Sequence, residues 1–161
     1  LTWHLVLSTI HTNSATATIQ RLINMWIEPF LIASALKMVI SQRLVKKICP
    51  HCRKVHNLDE TLMWKVKTEL SDIMDEHEIE QLTFYKASWC EKCKNTWFVW
   101  RMWVHEVLVL WEYIEKHILN SASVNEMTKV WKENWMITIV QDAILKAAMW
   151  QTTLDEALKL I

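Results

Sequence analysis

The motif Cys49-Pro50-His51-Cys52 is followed, after 37 intervening residues, by a second motif, Cys90-Glu91-Lys92-Cys93. In each motif, two residues between the cysteines allow a tight turn to aim both sulfur atoms at one point. Four thiolates from two such pairs form the closed tetrahedral shell of a structural zinc site. We therefore predict that these four cysteines bind one Zn²⁺. The loop between the pairs is longer than in the common zinc signature, so the segment inside it is expected to fold as an insertion.

Other uses of paired cysteines stay open at this point: two disulfides, a redox pair or an iron–sulfur cluster. Disulfides need an oxidising compartment, and an export signal is not expected here. A redox C-x-x-C normally follows a strand in a thioredoxin-like unit and occurs alone. Four cysteines leave no open coordination position, which disfavours catalytic zinc. His51 and His56 are spare donors beside a shell that the cysteines already fill.

The composition excludes some classes of protein. The chain has 161 residues, with 18 Lys and Arg against 18 Asp and Glu, so its net charge is zero. A generally basic surface for nucleic acid is therefore not expected. With 52 % hydrophobic residues the chain can build a core. It contains no run of 18 apolar residues, so no transmembrane helix is expected.

Residue spacing predicts a mixed α/β chain. Residues 4–10 form a short run rich in branched side chains and are predicted to be a buried strand. Ser14 is predicted to cap the helix that follows. A second helix is predicted to begin at Pro29, to keep an inner apolar face as far as Leu44, and to end at the lysines near residue 47.

The remainder is predicted to alternate between helices and short strands. Helical segments are expected at residues 59–70 and 71–81, a strand at 82–86 and an extended segment at 98–110. From residue 111 the chain is predicted to be helical to its end. Capping boxes are indicated at Ser123 with Glu126 and at Thr153 with Glu156.

The chain contains 11 tryptophans and no glycine, although about 11 glycines would be ordinary at this length. Trp26, Trp135 and Trp150 follow predicted helices, at the position where glycine supplies a left-handed residue. Four others lie near the second cysteine pair or in the stretch after it, which is predicted to be rich in turns: Trp89, Trp97, Trp100 and Trp103. We interpret all eleven tryptophans as standing at glycine positions, rather than as an aromatic platform. A codon translated as tryptophan instead of glycine would produce this pattern, and the coding DNA tests it.

With glycine in place of tryptophan, four stretches resemble the ATPases of type II secretion and type IV pilus assembly. Residues 1–15 resemble the histidine box of that family, and residues 21–52 resemble the segment after it. Residues 89–108 resemble its second cysteine pair and the strands that follow, and residues 134–158 resemble its C-terminal helices. Residues 59–81 carry no recognised motif. Retraction ATPases of the same superfamily lack the cysteine module, which disfavours that branch.

The resemblance implies an α/β fold in three segments. Residues 1–47 would be the trailing strand and helices of a RecA-like P-loop ATPase core. Residues 48–97 would be an inserted tetracysteine zinc module. Residues 98–161 would be a strand followed by a small C-terminal helical bundle.

The resemblance also implies a function: a homohexameric motor at the cytoplasmic face of the inner membrane that hydrolyses Mg-ATP and acts on secretion or pilus platform proteins. His4 and His11 would sense or orient the terminal phosphate of the nucleotide, with Thr12 and Asn13 as neighbours. From spacing alone, the interpretation of both histidines as strand-edge residues is favoured. A second set, Arg101, His105 and Glu106, would support structure or a subunit interface, or lie on a solvated strand edge.

The P-loop is missing from this sequence. A P-loop needs the string G-x-x-x-x-G-K-[ST], which does not occur here even with glycine at every tryptophan. The acidic motif that holds magnesium is absent too, and by resemblance it would precede Leu1. The chain alone is therefore expected neither to bind ATP tightly nor to hydrolyse it. The alternative function is a free-standing zinc module that binds protein or nucleic acid.

Overall fold

The computed structural model describes residues 4–120, 123–134 and 136–161, without the side chains of residues 112 and 113. These residues form a mixed α/β structure. Its helices are α1 (Ala15–Asn24), α2 (Pro29–Ala35), α3 (Glu60–Leu70), α4 (Glu76–Glu80), α5 (Glu112–Leu119), α6 (Val124–Glu133), α7 (Ile139–Ala148) and α8 (Leu154–Leu158). Its strands are β1 (Met38–Ile48), β2 (Arg53–His56), β3 (Phe84–Ala87) and β4 (Phe98–Val109).

The strands form two antiparallel pairs. Arg53 of β2 is opposite Ala87 of β3, and His56 is opposite Phe84. β1 pairs with β4. Since the amide of Leu110 donates to Lys37 O at one end and the amide of Cys49 donates to Trp97 O at the other, β1 and β4 run in opposite directions.

The prediction of a buried strand at residues 4–10 is wrong. None of these described residues lies in a strand. Leu5, Val6 and Leu7 are 75–87 % exposed. A strand needs hydrogen bonds from a neighbouring strand, and neither strand pair of the described residues includes this segment. Branched apolar side chains alone do not supply that neighbour.

The prediction of a long second helix is also wrong, because only its first two turns are helical. α2 begins at Pro29 as predicted, but it ends at Ala35, and Leu36 is already extended with φ −74° and ψ 124°. β1 follows, and Val39 and Val45 are among its buried side chains. Branched side chains suit a pleated surface, and the pairing with β4 outweighs the helical spacing of the apolar residues.

Most of the later elements are confirmed. Ser14 Oγ accepts a hydrogen bond from Ala17 N and so caps α1. α3, β3 and β4 lie where they were predicted, within a few residues. The described residues after 111 are mainly helical, as expected, and form α5, α6, α7 and α8. The helix expected at residues 71–81 is reduced to α4. The capping box of Ser123 and Glu126 is present in full.

The second capping box is only half formed. Thr153 Oγ1 accepts from Glu156 N at the start of α8. The Glu156 carboxylate instead accepts a 3.2 Å hydrogen bond from Lys46 N of β1 and pairs with Lys159. Glu156 is buried, and burial opposes its ionisation, but the bonds from Lys159 and the Lys46 amide outweigh burial and lower the pKa of this carboxyl.

This carboxylate predicts a dependence of stability on pH. Because its pKa is lower in the folded chain, ionised Glu156 stabilises the fold above the ordinary glutamate pKa of 4.5. That contribution is lost as the pH falls through the lowered value. At neutral pH, Glu156→Gln is expected to reduce the free energy of unfolding by about 1 kcal/mol. Urea unfolding should show the difference from wild type shrinking below pH 4.5, and a constant difference would contradict this. Glu60→Gln, at an exposed site, is the control.

The chain divides into two compact units. Unit 1 consists of Leu1–Ser41 and Glu106–Met136, and unit 2 consists of Gln42–His105 and Ile137–Ile161. The core of unit 1 includes Ile19, Leu108, Ile118, Met127 and Trp131. The core of unit 2 includes Val66, Leu70, Phe84, Val104, Ile144 and Leu154. The three segments inferred from the resemblance stay a prediction.

In the described residues, no helix combines the length and the apolar character that crossing a membrane would require.

Candidate metal centre and the histidine segment

The four cysteines form one buried cluster in unit 2. Their sulfur atoms all lie within 4.8 Å of one another, and the cysteines are at most 8 % exposed. Cys52 Sγ and Cys93 Sγ are 3.9 Å apart. A tetrahedral zinc site with Zn–S bonds of about 2.3 Å places its sulfurs about 3.8 Å apart, whereas a disulfide requires about 2.05 Å. The donor set and its spacing therefore fit a tetrahedral metal ion.

The first cysteine pair lies in the turn between β1 and β2. Cys52 N donates to Cys49 O at 3.3 Å, which closes the turn. Cys49 N donates to Trp97 O at 2.9 Å. Ser88 N, which precedes the second pair, donates to Cys52 O at 2.9 Å. Backbone hydrogen bonds thus connect the two pairs independently of any metal.

The second pair lies between β3 and β4 and is shaped by the residues after it. Asn95 Oδ1 accepts from Cys90 N at 2.8 Å, and Asn95 N donates to Cys90 O at 3.0 Å. Thr96 Oγ1 donates to Cys93 O at 2.6 Å. Lys94 and Asn95 have left-handed φ angles of 52° and 56°, which asparagine tolerates well. Sequence reasoning missed Asn95 and Thr96, although Asn and Thr after a C-x-x-C are a turn signal.

Protons must leave the cluster before it binds a metal, because thiolates are the ligands. Burial, together with a hydrogen bond to the Cys49 side chain, raises the pKa of Cys52 to about 12. Burial also acts against ionisation of Cys93. It is outweighed there by hydrogen bonds from the Trp97 amide and from Cys90, Cys52 and Cys49, so the pKa of Cys93 is lowered to about 7. Metal binding therefore releases protons.

The two histidines of the cysteine region stay outside the cluster. Among the described His, Cys, Asp and Glu residues, the group placed to hold a metal ion consists of the four cysteines. His51 is exposed and His56 is half-buried on β2.

The histidine segment lies in unit 1, before α1. His4, His11 and Asn13 are exposed, and Thr12 is half-buried. Thr12 Oγ1 donates to Ser14 O at 3.1 Å, so this hydroxyl stabilises the start of α1. The structure thus leaves both imidazoles accessible, while their proposed contact with a nucleotide stays a prediction.

Glu106 is a residue whose position the sequence did not specify. It was expected to support structure or an interface, or to lie on a solvated strand edge. It is only 5 % exposed and accepts a 2.7 Å hydrogen bond from Ala15 N, so the solvated edge is wrong. Its neighbour His105 is half-buried, and His105 N donates to Asp142 Oδ2. The predicted extended segment at residues 98–110 was the available signal, because alternation along a strand places residue 106 on the same face as Val104 and Leu108.

Comparison with known proteins identifies the family. Residues 1–159 match the sequence profile of the type II/IV secretion system protein family. The chain belongs to this family. It is 37 % identical over 158 residues to the type IV pilus assembly ATPase PilB of Thermus thermophilus, which covers 98 % of this chain and 17 % of that protein. It is 34 % identical over 159 residues to the type II secretion system ATPase E of Vibrio cholerae, covering 99 % and 30 %.

A third relative, the type IV pilus assembly ATPase PilB of Myxococcus xanthus, is 33 % identical over 157 residues, which is 97 % of this chain and 27 % of that protein. The resemblance inferred from the sequence is therefore confirmed at the level of the family. The chain spans less than a third of the length of these relatives.

Proposed function

We propose that this chain is the C-terminal part of a motor ATPase that powers type II secretion or type IV pilus assembly. The observation that supports this most strongly is the family match over residues 1–159, together with relatives that are ATPases of both systems. The match extends far beyond the two cysteine pairs. It therefore favours part of a motor over a free-standing zinc module.

The RecA-like core belongs to this proposal. Residues 1–47 would be its trailing strand and helices, residues 48–97 the zinc module, and residues 98–161 a strand with a helical bundle. Exposed Leu5, Val6 and Leu7 support this arrangement, because such a run is ordinarily covered. In the longer protein, other parts of the ATPase core would cover these side chains.

Nucleotide chemistry would be divided between this chain and the rest of the motor. The chain contains no G-x-x-x-x-G-K-[ST] string, so the P-loop and the magnesium ligands would lie elsewhere in the longer protein. Bound Mg²⁺ would neutralise phosphate charge during hydrolysis. His4 and His11 would orient the terminal phosphate, with Thr12 and Asn13 beside it. The chain alone would be inactive.

The cysteine cluster would hold a structural Zn²⁺ through Cys49, Cys52, Cys90 and Cys93. Its burial and its four equivalent donors support a closed site without an open coordination position. The whole motor would be a homohexamer at the cytoplasmic face of the inner membrane, acting on platform proteins of the secretion or pilus machinery. It would bind the membrane peripherally and need no specific nucleic acid.

The test uses the full-length protein that contains this chain. We expect the wild type to hydrolyse Mg-ATP, and His4→Ala and His11→Ala each to lower kcat about 10-fold or more through lost stabilisation of phosphate charge. His77→Ala changes an exposed histidine of α4 and should leave kcat unchanged. A wild type that does not hydrolyse ATP contradicts the proposed function. Full activity in both histidine variants contradicts their proposed roles.

A further inference from the structure

A buried carboxylate from β4 contacts the first residue of α1. Glu106 Oε1 accepts a 2.7 Å hydrogen bond from Ala15 N across 91 positions of sequence, and both residues belong to unit 1. The first amides of a helix lack partners inside it, and the helix dipole favours an anion there. A buried carboxylate is also destabilising without hydrogen bonds. This one contact therefore gives a partner both to the amide of Ala15 and to the carboxylate of Glu106.

Hydroxyl groups fix the same short segment from other directions. Thr12 Oγ1 donates to Ser14 O at 3.1 Å and lies 2.8 Å from Thr18 Oγ1. Buried Thr16 accepts a 3.1 Å bond from Thr128 Oγ1 of α6. Thr16 Oγ1 also lies 3.1 Å from Ser14 Oγ. The segment that directly follows the second histidine is therefore bonded to α1, and α1 is in turn bonded to α6 through Thr16.

Glu106 provides a contact that the hydroxyl groups do not, a hydrogen bond between α1 and a carboxylate of β4. Ser14 Oγ accepts from Ala17 N, and the amide of Ala15 donates to the Glu106 carboxylate. Without that carboxylate, the first turn of α1 keeps its hydrogen bond to α6 and loses its hydrogen bond to β4. His11, four residues before Ala15, is exposed, so its position depends on the backbone that carries it.

We infer that Glu106 is a positioning residue, which holds the N-terminal end of α1 and thereby fixes the backbone that presents His11. The inference rests on the proposed function, in which His11 orients the terminal phosphate of ATP. Glu106 itself is buried and acts through Ala15. Its effect is therefore on the step that needs His11 in place, and much less on the affinity for ATP.

The experiment measures ATP hydrolysis by the full-length protein with substitutions at this position. Glu106→Ala is expected to lower kcat about 10-fold or more and to change KM for ATP less than about 3-fold, since small misplacements slow a reaction that depends on orientation. Glu106→Gln keeps an oxygen that can accept from Ala15 N and should retain most of the activity. Glu106→Asp keeps the charge but shortens the reach, and should be slower than Glu106→Gln.

Controls separate positioning from general support of the fold. Glu28→Gln changes an exposed residue at the start of α2 whose side chain makes no capping bond, and it should match the wild type. Amide hydrogen exchange should become faster in the first turn of α1 in Glu106→Ala and stay unchanged in Glu28→Gln. If Glu106→Ala does not fold, the relative kcat values of Glu106→Gln and Glu106→Asp still test the inference. If the carboxylate acted through its charge alone, Glu106→Asp would be the more active variant.

Two negative results are distinguishable. If the wild type hydrolyses ATP and Glu106→Ala has the same kcat per folded molecule, the inference is overturned and the proposed function stands. If the wild type does not hydrolyse ATP, the proposed function is overturned. The exchange experiment then decides on Glu106, since unchanged protection in the first turn of α1 would overturn its positioning role.

Discussion

Removal of zinc is expected to cost this protein more stability than any single side-chain change outside the cluster. Structural zinc sites supply about 10–16 kcal/mol of apparent binding free energy at neutral pH in small peptides, and that energy appears as folding free energy. Here the backbone around the cysteines is also held by hydrogen bonds such as Cys49 N to Trp97 O. We therefore expect a chelator to remove more than about 5 kcal/mol of apparent stability without unfolding unit 1.

The measurement combines metal analysis with unfolding followed by circular dichroism. Purified protein should contain one zinc per chain, and Cys49→Ser should weaken zinc binding at least about 100-fold, because a ligand matters at least as much as the groups that orient it. His51→Ala is the matched control, since His51 is exposed beside the same turn. It should keep both zinc content and stability.

Other results would identify a different site. Protein that contains iron with visible absorption would indicate an iron–sulfur cluster, and cysteines that resist alkylation until reduced would indicate disulfides. Either outcome contradicts the zinc prediction. A chelator that leaves the unfolding curve of zinc-loaded protein unchanged would contradict the structural role of the metal.

The cysteine cluster could be predicted from sequence because its geometry is mostly local. Each C-x-x-C brings two sulfurs together within one turn, and only the meeting of the two turns depends on the rest of the fold. The structure supplies that meeting through contacts such as Ser88 N to Cys52 O. The helix caps were predictable for the same reason, since Ser14 and Ser123 act within three residues of their own positions.

Contacts between distant parts of the chain were harder to predict. The apolar spacing of residues 36–44 fits a helix, but β4 supplies a partner strand more than 50 positions later and β1 forms instead. Glu106 and Glu156 each use their carboxylate on an amide of another element, Ala15 N and Lys46 N. Neither partner can be identified from a motif, because the pairing is created by tertiary structure.

The tryptophans at left-handed positions predict an increase in stability on replacement by glycine. Trp26 and Trp150 lie directly after the capping residues of α1 and α7, with φ angles of 65° and 54°. The two hydrogen bonds of a Schellman motif end each helix, from Trp26 N to Ile23 O and Ile27 N to Leu22 O in the case of α1. Two of the three predicted helix-end sites are therefore confirmed, and the third, Trp135, lies outside the described residues.

Trp26→Gly should have the clearest effect. A residue with a Cβ pays about 1–2 kcal/mol in the left-handed region, and Trp26 is 95 % exposed, so little packing is lost with its ring. We expect a gain of about 1 kcal/mol after the greater freedom of glycine in the unfolded chain is included. Trp97→Gly, at φ 67°, should add a similar gain. Trp150→Gly should gain less, because its ring lies 3.9 Å from the Arg53 guanidinium.

Two further variants show whether backbone geometry causes these gains. Trp100 is 79 % exposed within β4 and has no positive φ, so Trp100→Gly should lose about 1 kcal/mol. Trp131 does not fit the interpretation that every tryptophan stands at a glycine position. This residue is 2 % exposed in the core of unit 1, and its indole donates to Val109 O.

Trp131→Gly is therefore expected to lose about 3–5 kcal/mol, the cost of truncating a large buried aromatic side chain. Denaturant unfolding of the zinc-loaded chain, followed by circular dichroism because tryptophan fluorescence changes with each substitution, gives all these differences. A common sign for Trp26→Gly and Trp100→Gly would show that conformation is not the cause. Opposite signs for Trp26→Gly and Trp131→Gly would show that the tryptophans are not equivalent, because backbone conformation governs one position and core packing the other.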